Sequence, residues 1–287
     1  MSVSAMDKVT VSRDVVYGDA GGRPLKLDLY QPDPDRRRST ALIMVHGGGW
    51  VGGSKAMLDA HARQLADDGF TVFAPEYRLT GEAVWPAQIH DVKRAIRWVR
   101  SKAGDYGFDP DRIALEGHSA GAHLVLLAAG TADDPRFDPA DADPSIPAHA
   151  AAVIAVYPPV LLYRGATRPS GGNQAAALKG ADVSDEAAAL ASPINHVGAD
   201  FPPVMLLHGD ADKVVPVSAS LRFQEALRAR GLRVDSHIFA GLPHGFMNQP
   251  ELRPMLMTLV SGFLRRTVDE PARFVVDVQP RPEATWQ

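Results

Sequence analysis

Short apolar runs alternate with helical patterns along most of the chain, and this alternation narrows the possible folds more than any other feature. Six runs have the length and composition of buried parallel strands, at residues 41–45, 71–74, 112–116, 152–157, 204–208 and 234–239. Residues 25–30 (LKLDLY) alternate with period two, as in a half-buried strand. Helical patterns fall between the runs, near residues 55–68, 86–103, 120–130, 218–230 and 252–267. The sequence therefore predicts an α/β fold, a mostly parallel sheet with helices on both faces.

Two stretches do not follow this alternation. Residues 158–200 are too long for a plain connection and contain a short Ala-rich helical segment near 185–190. We interpret them as a small cap insertion. Residues 269–287 carry three prolines and are expected to form an extended tail. The length of 287 residues is compatible with one large α/β domain spanning residues 1–287.

Composition excludes several classes of function. The net charge of −4 comes without a basic tract, so nucleic acid is not an expected partner. The chain has no cysteine, which excludes disulfides, thiolate metal sites and a cysteine nucleophile. No apolar run approaches the length of a membrane span, and the first residues lack the apolar region of a signal peptide. A cytoplasmic location is therefore the expectation.

A serine stands between two glycines at the junction of a predicted strand and a predicted helix. In EGHSAG (residues 116–121) the pattern is G-x-S-x-G, with Ser119 in the middle. A sharp strand–turn–helix junction of this kind exposes the serine hydroxyl at the carboxyl end of a sheet. Because a serine hydroxyl is a poor nucleophile alone, it needs a base and an acid that orients the base.

Polar residues that suit these two roles follow the last two predicted strands. His244, in AGLPHGF, is the candidate base. The acid has two candidates, Asp210 and Asp212, both in HGDADKVVP. Asp212 is favoured because the Val-Val-Pro after it leads into a helix and would fix its carboxylate. Asp210 is better suited to hold the turn through backbone N–H groups.

A glycine-rich segment follows the strand at residues 41–45. In HGGGW (residues 46–50), glycines leave backbone N–H groups free to point into a cavity. We predict an oxyanion hole formed by the N–H groups of Gly47, Gly48 and Ala120, the residue after the nucleophile. A phosphate-binding loop is the alternative, but the GGSK at residues 52–55 lacks the required spacing and no GxGxxG is present.

Three large side chains are candidates for lining a substrate pocket, although packing explains each of them equally well: Trp50, Trp85 and Phe246. The ten histidines contain no HExxH, and His118 and His123 are not spaced to share one helix face. We expect no metal and no cofactor.

Together, HGGGW, GHSAG, HGDADKVVP and LPHGF resemble, in order and spacing, the α/β-hydrolase superfamily. More narrowly, the chain is similar to carboxylesterases related to hormone-sensitive lipase and to the bacterial feruloyl and acetyl-xylan esterases. The resemblance extends over residues 15–267. It implies Ser119 as nucleophile, Asp212 as acid and His244 as base, with Gly47 and Gly48 in the oxyanion loop.

We therefore expect a serine carboxylesterase that cleaves small esters with short acyl chains through an acyl-enzyme intermediate. An amidase or peptidase, for example an arylformamidase-like enzyme, uses the same triad and remains the alternative. A non-catalytic binding module is the third possibility, but such a module would ordinarily lack a member of the triad. A homodimer is conceivable through the helix at residues 252–267 or the tail.

Overall fold

The computed structural model describes residues 9–162 and 184–274. Within these ranges eight strands form one sheet: β1 (Thr10–Asp19), β2 (Pro24–Gln31), β3 (Ala41–Val45), β4 (Thr71–Pro75), β5 (Ile113–His118), β6 (Ala152–Val156), β7 (Val204–Gly209) and β8 (Val234–Phe239). The spatial order is β1-β2-β4-β3-β5-β6-β7-β8. Strands β1 and β2 pair antiparallel and β2 pairs antiparallel with β4, whereas all later pairs are parallel. The mostly parallel sheet is confirmed.

The α-helices of the described ranges lie between these strands: α1 (Asp59–Asp67), α2 (Ala87–Ser101), α3 (Ala103–Tyr106), α4 (Ala120–Gly130), α5 (Asp185–Leu190), α6 (Ser218–Arg228) and α7 (Arg253–Leu264). The first turn of the predicted 55–68 helix is instead a 3-10 helix, Lys55–Leu58, and α7 continues as a π-helix, Arg265–Asp269. None of these helices has the length and apolar character that a membrane span requires.

Apolar side chains on alternate strand positions build two separate cores, one on each face of the sheet. In β3, Ile43 and Val45 pack into the core that α2, α4 and α6 cover. Leu42 and Met44 pack into the core that α1 and α7 cover. This two-sided burial explains why β3 reads as an unbroken apolar run instead of an alternating one.

Two strands depart from expectation. Strand β1 escapes the sequence pattern because its pairing with β2 shifts register twice, between Ser12 and Val15 and between Val16 and Gly18. Such bulges break the period-two alternation that identifies a strand. Strand β8 was expected to be buried, and this is wrong: its residues are only half-buried or exposed, because it forms the edge of the sheet.

The described parts of the insertion and tail are attached to the main body. Helix α5 begins at the predicted place, and the Ser184 hydroxyl caps it by accepting the Ala187 N–H at 3.1 Å. At the start of the tail, the Asp269 carboxylate binds Arg38 at 2.7 Å. The remainder of the predicted cap, residues 163–183, and of the tail, residues 275–287, lies outside the described residues.

Candidate active site

The turn between β5 and α4 holds Ser119 in an unusual backbone conformation. Ser119 has φ +53° and ψ −113°, outside the regions that L-residues ordinarily occupy. A Cβ at Gly117 would overlap the backbone of Gly121, and a Cβ at Gly121 would overlap the Val45 carbonyl of strand β3. The two glycines therefore allow the helix to start directly against the sheet. The Ser119 N–H donates to the Val156 carbonyl at 2.9 Å, which fixes the turn to β6 as well.

The structure brings Ser119, His244 and Asp212 into one hydrogen-bonded chain. His244 Nε2 lies 3.0 Å from Ser119 Oγ, and His244 Nδ1 lies 2.6 Å from Asp212 Oδ2. These distances suit a neutral imidazole that donates from Nδ1 to the carboxylate and accepts the serine hydroxyl proton at Nε2. The His244 side chain is 20 % exposed, so the ring faces the cavity from a mostly enclosed position.

The Asp212 carboxylate is fully enclosed and held by several donors. Its Oδ1 accepts the backbone N–H groups of Val214 and Val215, at 2.8 and 2.9 Å. Its Oδ2 takes His244 and also lies 3.3 Å from His208 Nε2. Burial favours the neutral acid, but the hydrogen bonds from His208, His244 and Val215 outweigh it and hold the pKa of Asp212 well below its usual value. The carboxylate thus stays ionised behind the histidine.

Asp210 occupies a different position from Asp212, although only one residue separates them. Its carboxylate accepts the Gly241 N–H at 2.6 Å and is exposed. This bond ties the loop after β7 to the loop that carries His244. The geometry thus places Asp212, and not Asp210, against the histidine.

His208, at the end of β7, lies against the Asp212 carboxylate. Its ring is fully buried, with Nε2 3.0 Å from the Val215 carbonyl and Nδ1 2.7 Å from the Ser220 hydroxyl. Because a carbonyl can only accept, Nε2 carries the proton and can also face Asp212. The ring N–H thus ties the end of β7 to the loop that carries Asp212.

The glycine loop (residues 46–53) runs beside Ser119. A Cβ at Gly47 would lie 2.8 Å from the His118 carbonyl and 3.3 Å from Ser119 Cβ, so only a glycine lets the backbone come this close. Gly48 has φ +121°, a conformation that glycine adopts without strain. Ala120 is the first residue of α4, so its N–H has no acceptor one turn earlier in the helix. Gly47, Gly48 and Ala120 all line the same cavity as Ser119.

His46 holds the start of this loop in its neutral form. Its Nδ1 lies 2.7 Å from the Gly47 carbonyl, and its ring stacks on Tyr77 with the ring centroids 4.5 Å apart. Burial lowers the pKa of His46 to about 4, so the ring is uncharged at neutral pH. The Tyr77 hydroxyl in turn donates to the His46 carbonyl at 3.1 Å.

A cavity of about 270 Å³ opens above Ser119 and His244. Trp50 lines it, but Trp85 and Phe246 are not among the described lining residues. Trp85 packs near the buried His123 ring, and Phe246 packs between Tyr157 and Phe239. Their packing roles follow from these neighbours. The lining residues that the sequence did not single out come mainly from loops: Met57, Leu58, Tyr157, Pro159, Val214, Val215 and Asn248. Loop walls carry no periodic signal, which explains why they were missed.

Glu116 and His118 form a buried polar pair on the strand that leads to Ser119. Both project from β5, with Glu116 Oε1 3.1 Å from His118 Nε2 and the carboxylate fully buried. The His61 ring lies 5.5 Å from that of His118, and burial lowers the pKa of His61 to about 4. Across the described ranges, no group of three histidine or carboxylate side chains is arranged to hold a metal ion.

Comparison with known proteins places this site in a family. Residues 27–227 match the family described as BD-FAE. Esterase LipQ of Mycobacterium tuberculosis is 36% identical over 261 residues, which cover 88% of this chain and 61% of LipQ. Esterase LipC of the same organism is 33% identical over 246 residues, covering 82% of this chain and 59% of LipC. The chain thus spans about three fifths of the length of these relatives.

Solved structures of esterases also resemble this chain in their fold. Thermogutta terrifontis Est2, in a structure described as propionate-bound, superposes with a TM-score of 0.75 at 30% identity, covering 90% of this chain and 94% of that one. A truncated carbohydrate esterase from gut microbiota superposes with the same TM-score at 28% identity, covering 89% of this chain and 96% of that one. The predicted α/β-hydrolase fold is therefore confirmed, and the chain belongs to the BD-FAE family of esterases.

Proposed function

We propose that this protein is a serine carboxylesterase that hydrolyses small esters with short acyl chains. The observation that carries the proposal is the chain of hydrogen bonds from Ser119 Oγ through His244 to the ionised Asp212. The names of its relatives, esterase LipQ and esterase LipC, support the same reaction.

The proposed reaction begins when Ser119 Oγ attacks the ester carbonyl carbon while His244 Nε2 takes the hydroxyl proton. The carbonyl oxygen becomes an oxyanion, which the N–H groups of Gly47, Gly48 and Ala120 stabilise. The C–O bond to the alcohol then breaks, and His244 returns the proton to the leaving oxygen. Water repeats the sequence on the acyl-serine and releases the carboxylic acid. Asp212 stays ionised and keeps the proton of His244 on Nδ1.

The size of the cavity supports a short acyl group. A volume of about 270 Å³ is small for a ligand site, and apolar side chains such as Met57, Leu58 and Val215 form much of its lining. Propionate, which the structure of Est2 carries by its description, is a three-carbon acid of the size such a cavity accepts.

The test is hydrolysis of p-nitrophenyl esters from acetate to palmitate by the wild type, with matched p-nitroanilides as amide substrates. We expect the highest kcat/KM at two to six carbons, and loss of turnover in Ser119→Ala. Ser101→Ala, which removes an exposed hydroxyl at the end of α2, is the matched control and should keep full activity. Faster turnover of the anilides would favour the amidase alternative. No turnover and no labelling by an organophosphate would contradict both.

A further inference from the structure

The segment that follows the glycine loop carries a lysine whose contacts the proposed mechanism does not use. Lys55 begins the 3-10 helix Lys55–Leu58, and Met57 and Leu58 of this helix line the cavity. One continuous stretch of chain, residues 46–58, therefore contains two of the proposed oxyanion donors and part of the cavity wall. Where this stretch sits sets the distance between those donors and the reacting carbonyl.

The stretch is held internally only by short turns, such as the one that the Gly52 N–H closes on the Gly48 carbonyl at 3.1 Å. Four of its residues have positive φ: Gly48, Gly49, Trp50 and Gly53. Ser54, at the N-cap of the 3-10 helix, makes no side-chain capping bond. A 3-10 helix of one turn also has poor hydrogen-bond geometry. Its position must therefore come from contacts with the rest of the molecule.

Lys55 makes such a contact with strands β1 and β2. Its ammonium lies 2.6 Å from Asp28 Oδ1 and 2.8 Å from Asp14 Oδ1. The lysine side chain is 13 % exposed and that of Asp28 only 2 %. Burial opposes both charges, yet the hydrogen bonds to the two carboxylates raise the pKa of Lys55 and keep it charged. An enclosed ion pair of this kind is more strongly coupled than one on the surface.

The backbone around the lysine is shaped to receive it. Asp14 lies in the first bulge of β1 and has φ +55°, an uncommon conformation for a residue other than glycine. Asp28 also accepts the Asp14 N–H at 3.1 Å and bonds to Arg13. Bulges often re-aim a side chain, and here the bulged residue directs a carboxylate at Lys55. Two carboxylates from two strands thus meet on one ammonium.

We propose that Lys55, through Asp28 and Asp14, is a positioning residue that fixes the glycine loop and the adjoining cavity wall for catalysis. The inference rests on the proposed esterase function. Lys55 touches no reacting atom, and it acts through the backbone of residues 46–54. Displacing catalytic donors by about 1 Å lowers rates by up to about 10²-fold. Loss of the lysine should therefore reduce kcat more than it raises KM.

The experiment compares wild type, Lys55→Met and Lys55→Arg in p-nitrophenyl acetate hydrolysis. Active sites are counted by the burst of p-nitrophenolate released by paraoxon, so that kcat refers only to folded, reactive protein. We expect Lys55→Met to lower kcat about 10- to 100-fold with KM changed less than about threefold. Lys55→Arg should restore most of kcat because it keeps the charge. Lys102→Met, which removes an exposed lysine that directly follows α2 and pairs with Asp105, should change nothing.

A kcat per site within twofold of wild type in Lys55→Met, or a raised KM alone, would overturn the proposal. If Lys55→Met does not fold, Asp14→Asn decides, because Asp14 is 59 % exposed and its replacement should be tolerated. It should lower kcat about two- to fivefold, and an unchanged kcat overturns the proposal. The rate at which paraoxon phosphorylates Ser119 measures the reactivity of the site independently of carboxylic ester turnover. A wild type that is labelled normally and yet hydrolyses no ester contradicts the proposed function, whereas Lys55 is still judged by its labelling rate.

Discussion

The glycine loop (residues 46–53) and the aspartate loop (residues 209–215) lie at the same edge of the sheet but are built in opposite ways. The aspartate loop is held by side chains, because the Asp212 carboxylate accepts two backbone N–H groups of its own loop. The glycine loop instead requires residues without side chains, because a Cβ at Gly47 or Gly48 would collide with neighbouring backbone. In the proposed reaction, the aspartate loop contributes a side chain and the glycine loop contributes its backbone.

This difference predicts opposite sensitivities to mutation. The aspartate loop should fail when a side chain loses its charge, whereas the glycine loop should fail when a side chain is added. Acidic pH should separate them too, because the glycine loop relies on the neutral ring of His46 and the aspartate loop on the charged carboxylate of Asp212.

Asp212→Asn should have the largest effect on the rate. The amide keeps the shape of the side chain but presents a donor to His244 Nδ1, which favours the wrong tautomer of the imidazole. We expect kcat for p-nitrophenyl acetate to fall about 10⁴-fold, with the unfolding midpoint in urea measured in parallel. A loss below about tenfold would show that Asp212 is not the acid.

Gly47→Ala should have the next largest effect, through the backbone. The added methyl would lie 2.8 Å from the His118 carbonyl, so the loop must move and its N–H with it. Loss of one oxyanion donor lowers kcat about 10²- to 10³-fold. Gly52→Ala is the matched control in the same loop, because its methyl would have only the Gly48 carbonyl nearby, at 3.9 Å. Equal losses in the two variants would contradict a specific role for Gly47.

The pH dependence of stability should show the glycine loop responding first. Burial lowers the pKa of His46 from 6.5 to about 4. Between these two pH values the unfolded chain binds a proton on His46 that the folded protein does not bind. Stability is therefore lost as the pH falls from about 6.5 to about 4, and one such histidine contributes about 2 kcal/mol of this loss between pH 7 and pH 5. Asp212 has a lowered pKa, so its contribution is lost only below its unfolded value of 3.8.

Urea unfolding of wild type and His46→Asn at both pH values tests this. The variant should be less stable at pH 7, yet its free energy of unfolding should fall by about 2 kcal/mol less on going to pH 5. His61 and His123 titrate in both proteins, so their contributions cancel in the comparison. His149→Asn changes an exposed ring outside the loop and serves as control. Parallel losses in wild type and His46→Asn would contradict the role of the neutral ring.

The same contrast explains what the sequence could predict. Where backbone geometry or chemistry requires one residue type, as at Ser119, Gly47 and His244, the sequence alone indicates the candidate site residue. The residues that follow Asp212 already favour it over Asp210, and the structure adds the different side-chain directions that separate the two carboxylates. The contacts of Lys55 were not predictable, since the bulge that turns Asp14 toward it hides β1 from the sequence pattern.

Asp210→Asn should have the smallest effect, and it is the sharpest control for Asp212→Asn. The Asp210 carboxylate accepts the Gly241 N–H at 2.6 Å, and an asparagine oxygen can accept the same bond. We expect kcat to stay within about threefold of wild type and the free energy of unfolding to fall by no more than about 1 kcal/mol. Two aspartates one residue apart would then differ about 10³-fold or more in their effect on kcat. If Asp210→Asn instead matches the loss in Asp212→Asn, the loop as a whole, and not a single carboxylate, supports His244.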